Sequence, residues 1–364
     1  MAKVKTEKVH EPLFHIVKRD RMPLWQSISI RLGSIVCALA FCALICYIVI
    51  DVKPAEFFET MFDGVFGSER RIWKMIKDLA VLLCISLAVT PAFKMRFWNI
   101  GAEGQVLMSC LASVACVIYF GGKMSNWMLL VCMALASVIM GAIWAVIPAV
   151  FKAKWDTNET LFTLMMNYVA TSLVSFFLIV WVPSGSSTLG ELDYGHLPNI
   201  YNRYLVLVLV VAAITVAMYI YLNYCKHGYE ISVVGESQKT ACYIGINVKK
   251  VVIRTLIVSG ALCGIAGFLI VSALDHSVTT ASAGGQGFTA IMVSWLAKFN
   301  PIIMVATSFL IVFLQQGVNQ VATDCNISNA FPNIIVGIIL FFVIGCEFFI
   351  NYKIMFRGKE ASKK

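Results

Sequence analysis

Apolar residues fill this chain in long blocks, neither alternating nor confined to a narrow helical stripe. Blocks of membrane-crossing length fall at 30–50, 78–93, 99–120, 127–150, 160–182, 204–224, 251–273, 286–298, 300–317 and 332–351. A run of about 18 or more apolar residues with few charges is long enough to cross the hydrocarbon as a helix. The block at 286–298 is shorter and reads as either a span or a re-entrant segment. The pattern predicts an all-α integral membrane protein of about ten transmembrane helices. Residues 1–29 form an N-terminal tail, 30–351 the transmembrane domain and 352–364 a C-terminal tail. Ten crossings place both termini on one side. No leader with a small-residue cleavage site precedes the first block, so it reads as a retained span rather than a signal peptide.

Composition agrees with the pattern. Apolar residues make up 59% and charged residues 13% of the 364, where a soluble domain carries about 25% charged. Mean hydropathy is +0.81. The formal charge of +9 sits mainly in the N-terminal tail, the 94–98 turn, 151–158, 225–250, Lys298 and the C-terminal tail. A cytoplasmic excess of Lys and Arg puts those segments, and both termini, inside. The charge thus reports topology and anionic lipid headgroups. No stacked-aromatic or groove-reading motif supports nucleic-acid binding. Most of the twelve cysteines lie within predicted spans, where they pack as small hydrophobes. No C-x-x-C pair and no histidine spacing suggests a metal site.

Four polar stretches interrupt the apolar blocks. Residues 225–250 form a mildly basic insert, too long for a tight turn and too short for a domain. Within it, Ser237–Gly245 predicts about two helical turns closed by a glycine suited to the left-handed position. Such a helix, with Ala241 as a small-residue patch, is a surface for something to dock on. Asn99–Gln105 (NIGAEGQ) places Asn99, Glu103 and Gln105 among glycines at the start of a span. A carboxylate there faces a pathway, or it sits in a turn favoured by the helix dipole. Ala283–Phe288 repeats the glycine–glutamine character with Gln286 and Phe288, so the two stretches are candidates for matching broken helices of an inverted repeat. In Asn158–Tyr168, the residues Thr160, Thr163 and Asn167 share one helical face, which suits either a cavity or interhelical hydrogen bonds. No Walker A, H-E-x-x-H or G-x-S-x-G signature occurs, so the chain reads as a non-enzyme that binds no cofactor of its own.

Three of these stretches carry a resemblance. NIGAEGQ, the 158–168 run and VVGESQKTACYIGINVKKVVIRTLIVSGALCGIAGFLIV at 233–271 resemble permease subunits of bacterial ABC importers. The similarity is to the branched-chain amino acid, ribose and galactoside branch, closest to the simple-sugar and nucleoside permeases that work with lipoproteins of the basic membrane protein type. GFTAIMVSWLAKFNP at 287–301 is also similar. The chain departs from the family pattern at Glu236, where asparagine is usual, and at Thr240.

The resemblance implies a permease for nucleosides or related simple sugars, in the bacterial plasma membrane. It implies two cytoplasmic ATPase subunits that use the ATP, a second permease subunit (a paralogue) and an extracytoplasmic substrate-binding lipoprotein. Gly235, Glu236, Ala241 and Gly245 fall in the coupling loop. Asn99, Glu103, Gln105, Asn167, Tyr168, Gln286 and Phe288 are the substrate-pathway candidates: neutral donors and acceptors, one carboxylate, and aromatics able to stack on a base. The rival reading is an ion- or proton-coupled secondary transporter, for which Asp78, Glu103 and Glu347 are the deep ionisable residues.

Overall fold

The computed structural model describes residues 14–19, 23–50, 52–182, 189–198, 202–325, 327 and 330–356. Most of both tails lies outside the described residues. The elements run β1 (Phe14–Lys18), α1 (Leu24–Ile50), α2 (Pro54–Phe66), α3 (Glu69–Lys94), α4 (Ala102–Phe120), α5 (Asn126–Trp155), α6 (Glu159–Trp181), α7 (Leu205–Asn223), α8 (Lys226–Glu236), α9 (Gln238–Tyr243), α10 (Val248–Leu269), α11 (Gln286–Leu296), α12 (Pro301–Asp324), α13 (Ala330–Asn351) and β2 (Tyr352–Phe356). A π-helical turn, Ile270–Asp275, extends α10.

Nine helices among the described residues are long and apolar enough to cross a membrane. The expected block at 286–298 is the 11-residue α11. At 1.5 Å per residue it reaches about half of a 30 Å hydrocarbon core. Span ends also differ from the hydropathy blocks. Helix α3 starts at Glu69 through charged turns and α12 runs to Asp324 through polar ones, continuing helices that the lipid-length runs do not include. Ser68, Asn158, Ser237 and Asn247 each accept a backbone N–H three residues on, so caps set the starts of α3, α6, α9 and α10.

The chain forms two contact units, Met1–Gly67 with Leu314–Lys364, and Ser68–Phe313. In the first, α1 and α13 lie antiparallel. Arg31 Nε donates to Glu347 Oε1 at 2.9 Å and Ser34 Oγ to the Phe342 carbonyl at 2.7 Å. The terminal strands continue this pair as an antiparallel ladder, from Phe14 opposite Phe356 to Lys18 opposite Tyr352.

The second unit is centred on α4, α5 and α10. Without a hydrophobic drive between helices in lipid, close packing through small residues holds them. A Cβ on Gly260 would lie 2.3 Å from the Gly141 carbonyl oxygen, and one on Gly264 would lie 2.6 Å from the Val138 Cα. Ser137 Oγ donates to the Ser109 carbonyl at 2.8 Å. The small residues of this seam bring backbones into contact.

Candidate pathway and coupling sites

The two glycine–glutamine stretches meet. Asp275, ending the α10 extension, lies within electrostatic reach of Lys77 and Asp78 in the third turn of α3. Ser294 near the end of α11 hydrogen-bonds Thr90 near the end of α3, at 2.9 Å. Residues 276–296 therefore run along α3 from the level of Lys77 and Asp78 to that of Thr90, the first half as irregular chain and the second as α11. This is a broken crossing, in place of the continuous span or re-entrant segment expected at 286–298. Irregular backbone at membrane depth persists only where protein or a watery cavity satisfies it. Glu103 does this: Oε1 accepts the Gly285 N–H at 2.7 Å and Oε2 the Gly287 N–H at 2.8 Å. The carboxylate caps α11 from a different helix, where orphan N–H groups and the dipole favour an anion. A Cβ on Gly287 would sit 2.6 Å from the Glu103 nitrogen, and Gly285 has φ +72°. The close approach requires glycine at 287, and the left-handed backbone favours it at 285.

Around Glu103, polar side chains hold the 99–104 backbone. Asn167 Oδ1 accepts the Gly104 N–H at 2.9 Å and its Nδ2 donates to the Ile100 carbonyl at 3.0 Å. Thr163 Oγ1 accepts the Ile100 N–H at 3.1 Å. Asn99 Oδ1 accepts from the Gly101 N–H and from Gln105 Nε2. Asn99, Gln105 and Asn167 are all buried. Of their polar atoms, Asn99 Nδ2 and Gln105 Oε1 have no partner among the described residues, nor has Gln286 Oε1. Tyr168 and Phe288 instead project outward, 64% and 43% exposed. The seven pathway candidates thus divide into a knitted junction around Glu103 and two surface aromatics.

The 225–250 insert is two helices, not one. Residues 238–243 form the expected short helix, and Gly245 at φ +83° ends it. The Gly245 N–H bonds the Cys242 carbonyl and the Ile246 N–H the Ala241 carbonyl, the paired pattern of a Schellman end. Helix α8 was not expected. Its signal was present: Gly228, Ile231 and Gly235 recur at helical spacing and all are buried. A Cβ on Gly235 would lie 2.3 Å from the Lys94 carbonyl oxygen, so α8 packs directly on the end of α3.

The expected docking patch needs correction. Ala241 is fully buried, in a cluster with Met95, Ala149, Ile231 and Val252. Its small side chain seats α9 on the bundle. The outward surface is carried by Tyr243, 90% exposed, Ile244, 54% exposed, and Lys239. Beside them runs a groove of about 1170 Å³ lined in part by Lys152, Lys239, Tyr243 and Lys249. Gly235 likewise faces inward, whereas Glu236 and Gly245 are exposed.

An ion pair fastens α8 to α10: Arg254 Nη2 donates to Glu230 Oε2 at 2.6 Å. That bond holds the Glu230 carboxyl below its usual range. A depressed folded-state value means the pair stabilises above the unfolded-state value and is lost as pH falls through the folded one. Glu230→Gln is therefore expected to lower the melting temperature at neutral pH, with the gap to wild type closing below about pH 4. Melting curves of both proteins across that range check this. A constant gap would mean the ion pair is not its source.

A family profile, branched-chain amino acid transport system / permease component, matches residues 72–344. The chain belongs to this family. Its relatives span nearly the whole chain. It is 26% identical to a glucose ABC transporter permease of Haloferax volcanii, over 94% of this chain and 95% of that protein. It is 26% identical to the guanosine ABC transporter permease NupP of Bacillus subtilis, over 92% and 97%. It is 25% identical to the nucleoside ABC transporter permease NupB of Lactococcus lactis, over 99% and 98%. The chain is a membrane permease of the ABC importer type, and the ion-coupled alternative is set aside. The profile covers the Glu103 junction, the α8–α9 segment and the glycine seam together.

Proposed function

We propose that this permease imports nucleosides or closely related sugar-containing solutes, driven by ATP hydrolysed in separate subunits. The observation that carries this reading is the nearly full-length similarity to two nucleoside permeases, at 26% and 25% identity, joined to a glucose permease at 26%. A ribose and a hexose share hydroxyl-rich chemistry, which suits neutral donors and acceptors. Tyr168 and Phe288 are the side chains free to meet a solute, and both can stack on a flat base. The buried amides of Asn99, Gln105 and Asn167, with Glu103 and Gln286, form the scaffold that sets the pathway wall.

Two ATPase subunits, a paralogous second permease and an outer-face binding lipoprotein complete the importer. The face bearing α8, α9, Lys152, Lys154, Lys249, Lys250 and Arg254 is its cytoplasmic side, by the excess of basic residues. Antiparallel pairing of β1 with β2 supports placing both tails on one side. The nine candidate spans among the described residues and the broken crossing add to an even number, which agrees. The membrane is the bacterial plasma membrane, and Tyr243, Ile244 and Lys239 form the ATPase contact.

The test is reconstitution of the chain with its ATPase, second permease and binding protein in lipid discs. Nucleoside with binding protein is expected to stimulate ATP hydrolysis. Uptake that collapses with an ion gradient, with no such stimulation, would sink the reading. Tyr243→Asp is expected to cut ATPase co-purification at least about tenfold, as loss of an exposed aromatic anchor does, while the permease inserts normally. Undiminished co-purification would move the contact elsewhere.

A further inference from the structure

A cavity of about 650 Å³ lies between the end of α3, the end of α11 and helix α8. That volume is within the range of small-molecule sites, about 300–1,000 Å³. Its wall is aromatic: Trp98 and Trp295 have ring centroids 5.3 Å apart, and Trp295 meets Phe299 edge-on at 5.9 Å. Both tryptophans are about half exposed, at 45% and 48%. Buried Phe93 backs them. Such a wall offers π-faces to a flat heterocycle.

The cavity is also charged. Lys94, Arg96 and Glu236 line it. Lys94 Nζ donates to the Leu222 carbonyl at 3.3 Å and keeps further donors. The exposed Arg96 guanidinium and Glu236 carboxylate have no hydrogen-bond or ion-pair partner among the described residues. Arg96 and Phe299 hold left-handed backbone, at φ +59° and +61°. These are helix ends: the Arg96 and Phe97 N–H groups bond the Phe93 and Ala92 carbonyls to close α3, and the Lys298 and Phe299 N–H groups bond the Trp295 and Ser294 carbonyls to close α11. Unpaired charge and exposed aromatics converge on one concavity, walled by the ends of α3 and α11.

We propose that this cavity binds a mononucleotide: a flat base against Trp98 and Trp295, a phosphate on Arg96 and Lys94, and base or ribose donors on Glu236. A guanidinium is suited to phosphate by its planar fork of donors. Ser232, Gly235 and Glu236 of α8 form part of the wall, so occupancy bears directly on the segment leading to the ATPase contact. The ligand is what a cytoplasmic phosphorylation would make from an imported nucleoside. The site would report accumulation of that product to the transporter. The inference rests on the proposed orientation and solute class.

The experiment uses the full chain in phosphatidylcholine discs, titrated with guanosine monophosphate while tryptophan emission is followed. Saturable quenching is expected. Arg96→Asn, a residue that tolerates left-handed backbone, is expected to weaken that binding about tenfold while leaving the weaker guanosine response unchanged. Trp295→Leu should remove most of the quenching. In the assembled importer, guanosine monophosphate on the ATPase side should slow uptake. Absent saturable quenching, an unchanged Arg96→Asn titration, or equal competition by inorganic phosphate alone would overturn the proposal. So would binding that disappears when anionic lipid replaces phosphatidylcholine, which would make the cavity a headgroup site. Binding to the isolated chain is read without transport, so it fails or stands separately from the solute class.

Discussion

Gly260→Leu is expected to leave almost no folded protein in the membrane. A Cβ at this position would approach the Gly141 carbonyl oxygen to 2.3 Å and the Ala145 Cβ to 2.5 Å. The first neighbour is backbone and cannot rotate away, so α10 and α5 must separate. Overpacking that flexible side chains absorb costs about 1–3 kcal/mol. Here the separation also loosens Gly264 against Ser137 and Val138, one turn along the same seam. In lipid no hydrophobic gain compensates for parted helices. Gly337→Ala on α13, where nothing lies within 4 Å of the added carbon, is the control and should melt like wild type. Yield of monodisperse protein and melting temperature in mild detergent are the readouts. A Gly260→Leu protein with wild-type melting would show that α5 and α10 do not touch as described.

Much of this architecture was legible in the sequence because the bilayer imposes a simple rule: length and apolarity select the spans. The rule fails where an apolar stretch crosses without being a full helix. The block at 286–298 is short enough to allow either a span or a re-entrant segment, and hydropathy does not show that α11 is the helical half of a broken crossing. The clue was in Gly284 and Gly285, whose positive φ ends the irregular half. Helix α8 was missed because its mean apolarity is modest; the spacing of Gly228, Ile231 and Gly235 held the information.

Ala241 shows a different limit. A small residue in a surface helix suits a partner's close approach, and it suits equally close packing on the helix's own bundle. Only the tertiary arrangement separates these, and it turns Ala241 inward and Tyr243 outward. Asn167 was correctly read as sharing a face with Thr163, but which groups they meet was not readable. Both satisfy the backbone of the 99–104 stretch, sixty-odd residues earlier in the chain. Non-local pairing of that kind leaves no periodic trace.

Glu103→Ala is expected to lower solute uptake by the assembled importer at least about tenfold, the loss that follows from roughly 1.4 kcal/mol of misplaced equilibrium. The carboxylate is the acceptor for the N–H groups of Gly285 and Gly287. Removing it leaves the buried Gly287 donor unpaired, a cost of about 1–3 kcal/mol. The exposed Gly285 donor adds less. The irregular half of the crossing then has no anchor to α4, so the two glycine stretches no longer move together. Helices α8 and α9 pack on α3, α5 and α10 rather than on Glu103, so ATPase co-purification should persist. Glu103→Gln keeps the shape but offers one oxygen and turns its amide donors toward a backbone N–H, so it should fall between alanine and wild type. Glu103→Asp, one methylene shorter, reaches one donor at most and should resemble Gln. This ranking distinguishes a clamp from a solute ligand: a ligand role would alter solute preference, whereas a clamp lowers uptake of every solute alike. Wild-type uptake by Glu103→Ala would remove the junction from the mechanism.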